Sequence, residues 1–340
     1  MSKNPMTEHS TRQRRRRQKT NCPLNPLLGG FLFYTMIMKN THIEHPEDSI
    51  LNGDLSVLNW FTSNGKISAK IDGAPAIVWG CNPASGKFFV GTKSVFNKVK
   101  IKINESHEDI DRNHSGNVAD ILHECFECLP RTDKIYQGDF IGFGGEECYQ
   151  PNTITYYFPE KVTQRIIIAP HTEYFAENDL RDAYAEPIRT FRMWKKGYKV
   201  LFVKPWVTID EYRDDIKDMC DFARQMSTLC EFPDEKTGTR VKKHLNACIR
   251  ADIEMDDITL EALAHDNECD VSVLRLWKLV ESIKMDMFAF IDADDSLECY
   301  IGEERCDHEG YVLHNDYGTF KIVNREGFSK ANFSMGVQSR

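Results

Sequence analysis

The length, composition and charge of the chain fit a globular protein and exclude a uniformly basic nucleic-acid binder. Its 340 residues allow one or two domains with a large core, and 41% of them are hydrophobic against 28% charged. The formal net charge is -9 although the first twenty residues alone carry +6, so any contact with nucleic acid must come from a local basic patch.

Residues 1–35 differ in character from the rest of the chain. A basic run, Arg14–Arg17, precedes a short apolar run, Leu27–Met38, and together they imitate a signal peptide. No small-residue cleavage site follows, and the apolar run is too short to span a bilayer. We expect either a disordered basic and apolar leader or sequence read from too early a start codon, and we predict no membrane partner.

The eleven cysteines are scattered along the chain. Cys125 and Cys128 form a C-x-x-C pair, but no second pair follows at the spacing of a zinc ribbon. Reduced thiols are therefore the better interpretation, and they favour a cytoplasmic location.

The segment His42-Ile43-Glu44-His45 is dense in potential metal ligands. Two histidines three residues apart without a third partner are more often a helix cap or a surface feature than a metal site. A helix over Ser49–Phe61 is predicted to follow.

The sequence then reaches Lys70-Ile71-Asp72-Gly73, where a lysine stands two residues before an Asp-Gly turn. A lysine can act as a nucleophile when its surroundings favour the neutral amine. The Asp-Gly turn fixes where that amine points, and the apolar run Ala76–Trp79 is predicted to anchor the turn to a buried strand. A solvated lysine in an ordinary β-turn explains the tetrapeptide equally well.

Lysines follow the next predicted strand, Lys87–Gly91, which forms a hairpin with the first. They stand at positions 93, 98, 100 and 102. They fit either a solvated strand edge, where lysines prevent aggregation, or contacts with phosphate groups. Lys93, close after the strand, fits phosphate contact better than the outer lysines do.

The remaining pattern predicts an α+β protein whose mostly antiparallel strands are interrupted by helices. A polar loop is expected over His107–Asn117, a helix over Val118–Cys128, and strands over Tyr136–Phe143, Thr153–Phe158, Arg165–Ala169 and Tyr198–Val203. Helical spacing then covers Tyr212–Leu229, Val241–Arg250, Leu260–His265 and Val271–Ile291, before strands return at His308–His314 and Thr319–Asn324. Asp139 stands in an otherwise apolar strand, so it needs a partner.

Four short motifs in this order resemble those of the covalent nucleotidyltransferases, which are the ATP-dependent DNA and RNA ligases and the mRNA capping enzymes. The stretch from Lys70 to Gly73 resembles motif I, Tyr136 to Phe140 motif III, Glu309-Gly310 motif IV, and Phe320-Lys321-Ile322 motif V. Over most of residues 40–335 the chain also resembles an uncharacterised ligase-like group of large tailed bacteriophages. That likeness implies the cytoplasm of an infected bacterial host.

The resemblance implies an antiparallel β-rich nucleotidyltransferase core, similar to an ATP-grasp-like ligase adenylation domain. Residues 36–206 would form its first part and 296–340 its last part, with a helical insertion at 207–295. It also implies ATP and Mg²⁺ as cofactors. The partners would be nucleic acid ends, a 5′-phosphate and a 3′-hydroxyl of RNA or DNA.

The resemblance also assigns roles to single residues. Lys70 would attack the α-phosphate of ATP and form a lysyl-adenylate, whose AMP then passes to the 5′-phosphate end. Lys93 and Lys321 would stabilise the charge that gathers on the phosphate. Asp139 and Glu309 would contact the ribose and hold the metal. Asp72 would orient the lysine, and Gly73 would belong to the nucleotide-binding turn.

The sequence departs from the family pattern in three places. Ala74-Pro75 follows motif I where DNA ligases commonly have an arginine. Motif V usually has two lysines separated by one residue, and here only Lys321 is present. Asp139 stands where glutamate is usual. No OB-fold is expected after motif V, which favours an RNA ligase slightly over a DNA ligase. Two alternatives stay open: a nucleotidyltransferase that adenylates a non-nucleic-acid acceptor, and a catalytically inactive ligase-fold phage protein with a binding or structural role.

Overall fold

A computed structural model describes residues 43–188, 199–209, 213–294, 296–325 and 327–328. The chain divides between Met36 and Ile37, and every described residue lies in the second unit. The predicted leader, residues 1–35, lies outside the described residues. No helix in the described ranges is both long enough and apolar enough to cross a membrane.

Helices and strands alternate irregularly, as expected for an α+β protein. The α-helices are α1 Val57–Thr62, α2 His107–Asn113, α3 Asn117–Cys128, α4 Arg213–Ser227, α5 Glu235–Arg250, α6 Asp257–Asn267 and α7 Val271–Phe288. Short 3₁₀ helices cover Pro46–Asn52, Lys93–Phe96 and Leu180–Asp182. The strands are β1 Lys66–Lys70, β2 Ala76–Cys81, β3 Phe88–Gly91, β4 Ile135–Phe143, β5 Cys148–Tyr149, β6 Thr155–Tyr157, β7 Ile166–Phe175, β8 Tyr184–Pro187, β9 Val200–Phe202, β10 Val207–Ile209, β11 Ile291–Ala293, β12 Glu298–Ile301, β13 Glu304–Arg305, β14 Gly310–Asn315 and β15 Gly318–Ile322.

The strands form antiparallel sheets. The largest has the order β3-β2-β4-β7-β8, and β9 joins it as a parallel neighbour of β7. A second sheet has the order β1-β14-β15, and a third has the order β13-β12-β6-β5. The second sheet brings strands from the two ends of the described chain together, because β1 pairs with β14 along its whole length.

Apolar side chains gather in separate cores on these sheets. Trp79, Tyr136 and Ile168 of the largest sheet pack with buried residues of α3. The helices α4 to α7 pack with α1 and with buried residues of β14 and β15. The helical block therefore shares its core with the sheet that carries Lys70, Gly310 and Lys321. The chain enters and leaves this block through β10 and β11, which pair with each other.

Two sequence predictions of secondary structure are wrong. The single helix expected over Ser49–Phe61 is two elements, because Gly53 takes a left-handed conformation with φ 70° and ends the first of them. The loop expected over His107–Asn117 contains α2. Its N-cap is Ser106, whose side chain accepts a hydrogen bond from the Asp109 amide at 3.2 Å.

The strongly periodic segments form the elements that the sequence predicts. The helix at Val118–Cys128 is α3, and its Cys125 and Cys128 are free thiols. Strand β7 is longer than predicted, since it continues through His171 to Phe175. This extension places polar side chains opposite the strand that carries Asp139.

Candidate functional site

Lys70 and Glu309 meet although they are 239 residues apart in the sequence. Lys70 ends β1 and pairs with Gly310, the first residue of β14. The Glu309 amide donates to the Lys70 carbonyl at 3.0 Å, and the Lys70 Nζ donates to the Glu309 carboxylate. Their side chains are 29% and 13% exposed, respectively, so this ion pair is partly shielded from water.

Gly310 and Gly73 allow neighbouring segments of backbone to approach closely. Gly310 has φ 129°, and a Cβ there would clash with the Ile322 carbonyl of β15. A Cβ at Gly73 would lie 2.8 Å from the Phe140 carbonyl and 2.9 Å from Cβ of Asp139. Gly73 therefore lets the turn after Lys70 lie directly against β4.

Lys321 of β15 completes the group around Lys70. Burial lowers the pKa of Lys321, and the positive charge of Lys70 lowers it further. Burial also raises the pKa of Glu309, against the opposing effect of Lys70. Burial thus shifts the pKa values of Lys321 and Glu309 in the directions that favour their neutral forms. Such shifts are typical of residues that exchange protons.

The Asp72 carboxylate anchors a distant segment of the backbone. Its oxygens accept hydrogen bonds from Asn152 Nδ2 and from the Thr153 amide, both at 2.9 Å. The Asp72 amide donates to the Tyr156 hydroxyl at 2.6 Å. Asp72 and Gly73 do not line the cavity described next. Asp72 can therefore affect Lys70 by fixing the turn that follows it and through its charge, which helps to raise the pKa of Glu309.

The other predicted site residues line one cavity of about 390 Å³. These are Lys70, Lys93, Asp139, Glu309 and Lys321. Lys204 and Glu186 also line it, so four lysines face three carboxylates there. The cavity lies where the largest sheet and the sheet β1-β14-β15 come together. We call it the lysine cavity.

Sequence reasoning missed a histidine in this cavity. His171 lies on β7, and its Nε2 is 3.6 Å from Oδ2 of Asp139 on the neighbouring strand. The same Nε2 is 3.3 Å from the amide nitrogen of Gln137, and Nδ1 is 2.7 Å from the Thr172 hydroxyl. The signal in the sequence is the polar run His171-Thr172-Glu173, which interrupts an apolar strand.

The lysine cavity offers donors for a divalent cation, but not a complete set. The predicted ligands Asp139 and Glu309 both line it. Each already has a neighbour, since Glu309 accepts a hydrogen bond from Lys70 and Asp139 faces His171. No group of three or more His, Cys, Asp or Glu side chains in the described part of the chain could hold a metal. Carboxylates with open positions nonetheless suit Mg²⁺, which commonly takes one or two carboxylates and completes its shell with water and phosphate oxygens.

A second cluster of charges lies beside this cavity and does not line it. We call it the buried ion-pair network after its enclosed centre, and its members are Glu44, Glu47, Asp48, Lys242, Lys284 and Arg325. Glu44 and Lys242 lie at its edge and are 53% and 31% exposed. Lys284 and Glu47 are both fully buried, with Nζ 2.8 Å from Oε1. Arg325 Nη1 is 2.8 Å from Oδ1 of Asp48. The network ties the segment before α1 to helices α5 and α7 and to the residues after β15.

The predicted ligand segment His42–His45 leads into this network. His42 lies outside the described residues. His45 is buried, and burial together with the nearby cations Arg325 and Lys321 lowers its pKa strongly. The Glu44 carbonyl accepts a hydrogen bond from the Lys321 amide at 3.1 Å, so this segment lies directly beside β15.

Comparison with known proteins matches the chain to a protein family. No curated protein and no solved structure matches the chain. The sequence profile of a family of unknown function, DUF6267, matches residues 40–260 and 253–336. These segments contain every residue that lines the lysine cavity and every member of the buried ion-pair network. The chain therefore belongs to this family of unknown function.

Proposed function

We propose that the protein is an ATP-dependent nucleotidyltransferase in which Lys70 takes AMP from ATP and passes it to an acceptor. One observation carries the proposal. Residues from four motifs that are far apart in the sequence line one cavity, and its volume is within the range of small-molecule sites. The α+β fold class is compatible with a nucleotidyltransferase core. That the chain has such a core is part of the proposal.

The nucleophile needs a neutral amine and a proton acceptor. Lys70 Nζ would attack the α-phosphorus, forming an N–P bond while the bond to the β-phosphate oxygen breaks and pyrophosphate leaves. The carboxylate of Glu309, which already accepts a hydrogen bond from the charged Nζ, would first take one proton and so give the neutral amine. The second proton, which the nitrogen loses as the N–P bond forms, would leave on pyrophosphate. Burial raises the pKa of Glu309, and this makes it a better proton acceptor than an exposed glutamate.

The other lysines would stabilise the charge that develops on the phosphate. Lys321 is the motif V lysine, and Lys93 lines the cavity from the largest-sheet side. Four lysines against three carboxylates leave an excess of only one positive charge for a triphosphate that brings several negative ones. A divalent cation held by Asp139, with Glu309 nearby, would supply the missing positive charge.

The acceptor in this proposal is a 5′-phosphate end of a polynucleotide, with RNA ahead of DNA. Exposed Lys98 and Lys100 follow Lys93 along the chain and offer the local positive charge that an acidic protein needs for such a substrate. The acidic body of the chain favours a second candidate, adenylation of an acceptor that is not a nucleic acid.

The test is incubation of the purified protein with α-labelled ATP and Mg²⁺, followed by a denaturing gel. We expect a covalent label on the wild-type protein, none on Lys70→Ala, and an unchanged label on Lys66→Ala. Lys66 is a matched control because it is an exposed lysine on the same strand. Absence of label from wild-type protein that is folded and not already adenylated would reject the proposal.

A further inference from the structure

We propose that Cys299 and Cys306 form a dithiol that a peroxide oxidises reversibly to a disulfide, and that this bond displaces Glu309. Neither cysteine lines the lysine cavity, and neither takes part in the proposed reaction. The consequence for catalysis rests on the proposed function, because Glu309 is there the proton acceptor for Lys70. The dithiol itself follows from the pairing of two strands.

The hairpin of β12 and β13 places the two cysteines opposite each other. Tyr300 pairs with Arg305, so Cys299 and Cys306 stand at the next position of the same register. The Cys306 amide donates to the Cys299 carbonyl at 2.9 Å, as this register requires. Opposed residues that are hydrogen-bonded in this way have Cα atoms about 5.5 Å apart, which is within the range of roughly 4.4 to 6.8 Å found across disulfides.

The two side chains lie on the same face of the hairpin and are free thiols in this structure. Buried Cys299 and half-buried Cys306 pack into the same apolar cluster, which also contains Tyr156. Burial raises the pKa of Cys299 to about 12, and the nearby Cys306 adds to this effect. Burial and the charge of Asp307 raise the pKa of Cys306 to about 11. Both groups are therefore protonated near neutral pH and react slowly, so the pair stays reduced until oxidant is abundant.

The oxidation consumes one molecule of peroxide. Hydrogen peroxide reaches the half-buried Cys306, whose sulfur takes one oxygen atom to form a sulfenic acid while water leaves. The sulfur of Cys299 then attacks the sulfur of Cys306. The S–S bond forms, the S–O bond breaks, and a second water carries away the hydroxyl group and the proton of Cys299. A small dithiol reverses the reaction by thiol–disulfide exchange and is itself oxidised.

The hairpin is connected to the proton acceptor of the lysine cavity through His308. The sulfur of Cys299 lies 3.1 Å from Nδ1 of His308, which is buried and has φ 55°. The next residue, Glu309, donates its amide hydrogen to the Lys70 carbonyl. The position of Cys299 therefore helps to set the turn from which Glu309 reaches Lys70.

Closing the disulfide changes the position of β13. The Cβ atoms of opposed strand residues are about 4.5 to 5.5 Å apart, whereas those of a disulfide are about 3.5 to 4.5 Å apart. The bond therefore draws Cys306 toward Cys299 by roughly 1 Å. Strand β13 is the edge strand of its sheet, so it is the strand that is free to move. The chain runs directly from Cys306 to Glu309, and the displacement passes along it.

The experiment treats the full chain with hydrogen peroxide, blocks the remaining thiols with N-ethylmaleimide, and digests the protein with trypsin without a reductant. Trypsin cleaves after Lys284, Arg305 and Lys321, so the two cysteines fall in separate peptides, 285–305 and 306–321, each with no other cysteine. We expect mass spectrometry to find these two peptides joined, with two hydrogen atoms fewer than their sum. Dithiothreitol should separate them.

Labelling of Lys70 by α-labelled ATP is followed in the same samples. Oxidation should slow it by about 10-fold to 100-fold, because a shift of roughly 1 Å misplaces the proton acceptor, and dithiothreitol should restore it. Cys306→Ser should form no joined peptide and keep its labelling rate under peroxide. Cys148→Ser is the control and should respond as the wild type does, since Cys148 is an exposed cysteine on β5 of the same sheet. The joined peptide is read on the wild-type protein, so the test does not depend on a variant that folds.

The outcomes distinguish the dithiol from the proposed function. Separate peptides after peroxide treatment, with Cys306 either unmodified or oxidised beyond the sulfenic acid, would overturn the dithiol. Joined peptides with an unchanged rate of labelling would overturn its effect on Glu309. Joined peptides in a protein that takes no label, whether oxidised or reduced, would support the disulfide and contradict the nucleotidyltransferase.

Discussion

The lysine cavity and the buried ion-pair network are built from the same residue types and differ in how the charges are used. In the network three carboxylates face three cations, and Glu47 and Lys284 at its centre are fully buried. In the cavity lysines outnumber carboxylates by one around an open volume of about 390 Å³. Charges that are matched and enclosed hold segments together, whereas an open cavity with an excess of lysine can bind an anion.

The two regions are neighbours, which makes the comparison useful. The hydrogen bond from the Lys321 amide to the Glu44 carbonyl links β15 of the cavity to the segment that carries Glu47 and Asp48. We therefore regard the network as the support that keeps Lys321 in place. Substitutions in the network should cost stability first, and substitutions in the cavity should cost chemistry first.

The largest loss of stability is expected for Lys284→Met. This change leaves the buried carboxylate of Glu47 without its closest cation, and breaking a buried pair costs about 3 to 5 kcal/mol. Urea denaturation measures it. Lys243→Met on α5 is the control, because Lys243 is exposed and should cost much less. Equal losses for the two variants would show that the network does not carry the stability we assign to it.

A smaller loss, roughly 2 kcal/mol, is expected for Asp72→Asn. The carboxylate accepts hydrogen bonds from Asn152 and Thr153 in a buried place, and an amide cannot accept both equally well. Asp139→Asn, which changes a carboxylate of the cavity, should leave the free energy of unfolding nearly unchanged. If Asp72→Asn were as stable as Asp139→Asn, Asp72 would belong with the cavity residues and not with the structural ones.

His45 lies beside the network, and the network cations help to lower its pKa. The free energy of unfolding should therefore depend on pH through His45. The folded protein keeps His45 neutral because burial and nearby cations lower its pKa, whereas the unfolded chain takes up a proton below about pH 6.5. Stability contributed in this way is present above that pH and falls by about 1.4 kcal/mol for each pH unit below it. Urea midpoints between pH 7.5 and 5.5 measure the slope.

The slope is the quantity to compare between variants. His45→Asn should flatten it whatever its effect on stability at pH 7.5, and His265→Asn should leave it as in the wild type because that side chain is exposed. An unchanged slope in His45→Asn would mean that His45 takes up its proton equally in both states.

The smallest effect on stability is expected for Lys321→Met. Burial and Lys70 already disfavour the charged form of Lys321, so removing the ammonium should cost less than about 1 kcal/mol. The rate of lysine labelling by ATP should fall about 100-fold to 1,000-fold, because the bound triphosphate favours the charged form of Lys321 and the variant loses that cation beside the reacting phosphate. Lys87→Met, an exposed lysine at the start of the hairpin strand, is the control for rate. An unchanged rate in Lys321→Met would remove the assigned role of motif V.

The sequence predicts the regular elements where their periodicity is strong, as in α3 and β4, and fails where local chemistry decides. Helix α2 buries a single apolar residue, Ile110, so its start depends on the Ser106 cap and not on an apolar stripe. Gly53 divides the predicted helix Ser49–Phe61 by one left-handed residue. Neither effect produces a hydrophobic pattern that could be read along the chain.

For the candidate site, the sequence indicates which residues have reactive side chains but not which residues they contact. Lys70, Glu309 and Lys321 stand out by motif, yet their meeting depends on the register of β1 with β14. His171 becomes informative only once Gln137 and Asp139 lie opposite it on β4. The partners of Asp72 are about 80 residues away in the sequence, so the Asp-Gly turn alone could not show that its carboxylate is an anchor.

The measurement that tests the central claim most directly is the intact mass of the protein after incubation with ATP and a divalent cation, followed by peptide mapping. We predict an added mass equal to one AMP, located on Lys70 and removed when pyrophosphate is added back. An added AMP on another residue, or no added mass in folded protein that binds ATP, would contradict Lys70 as the nucleophile of the lysine cavity.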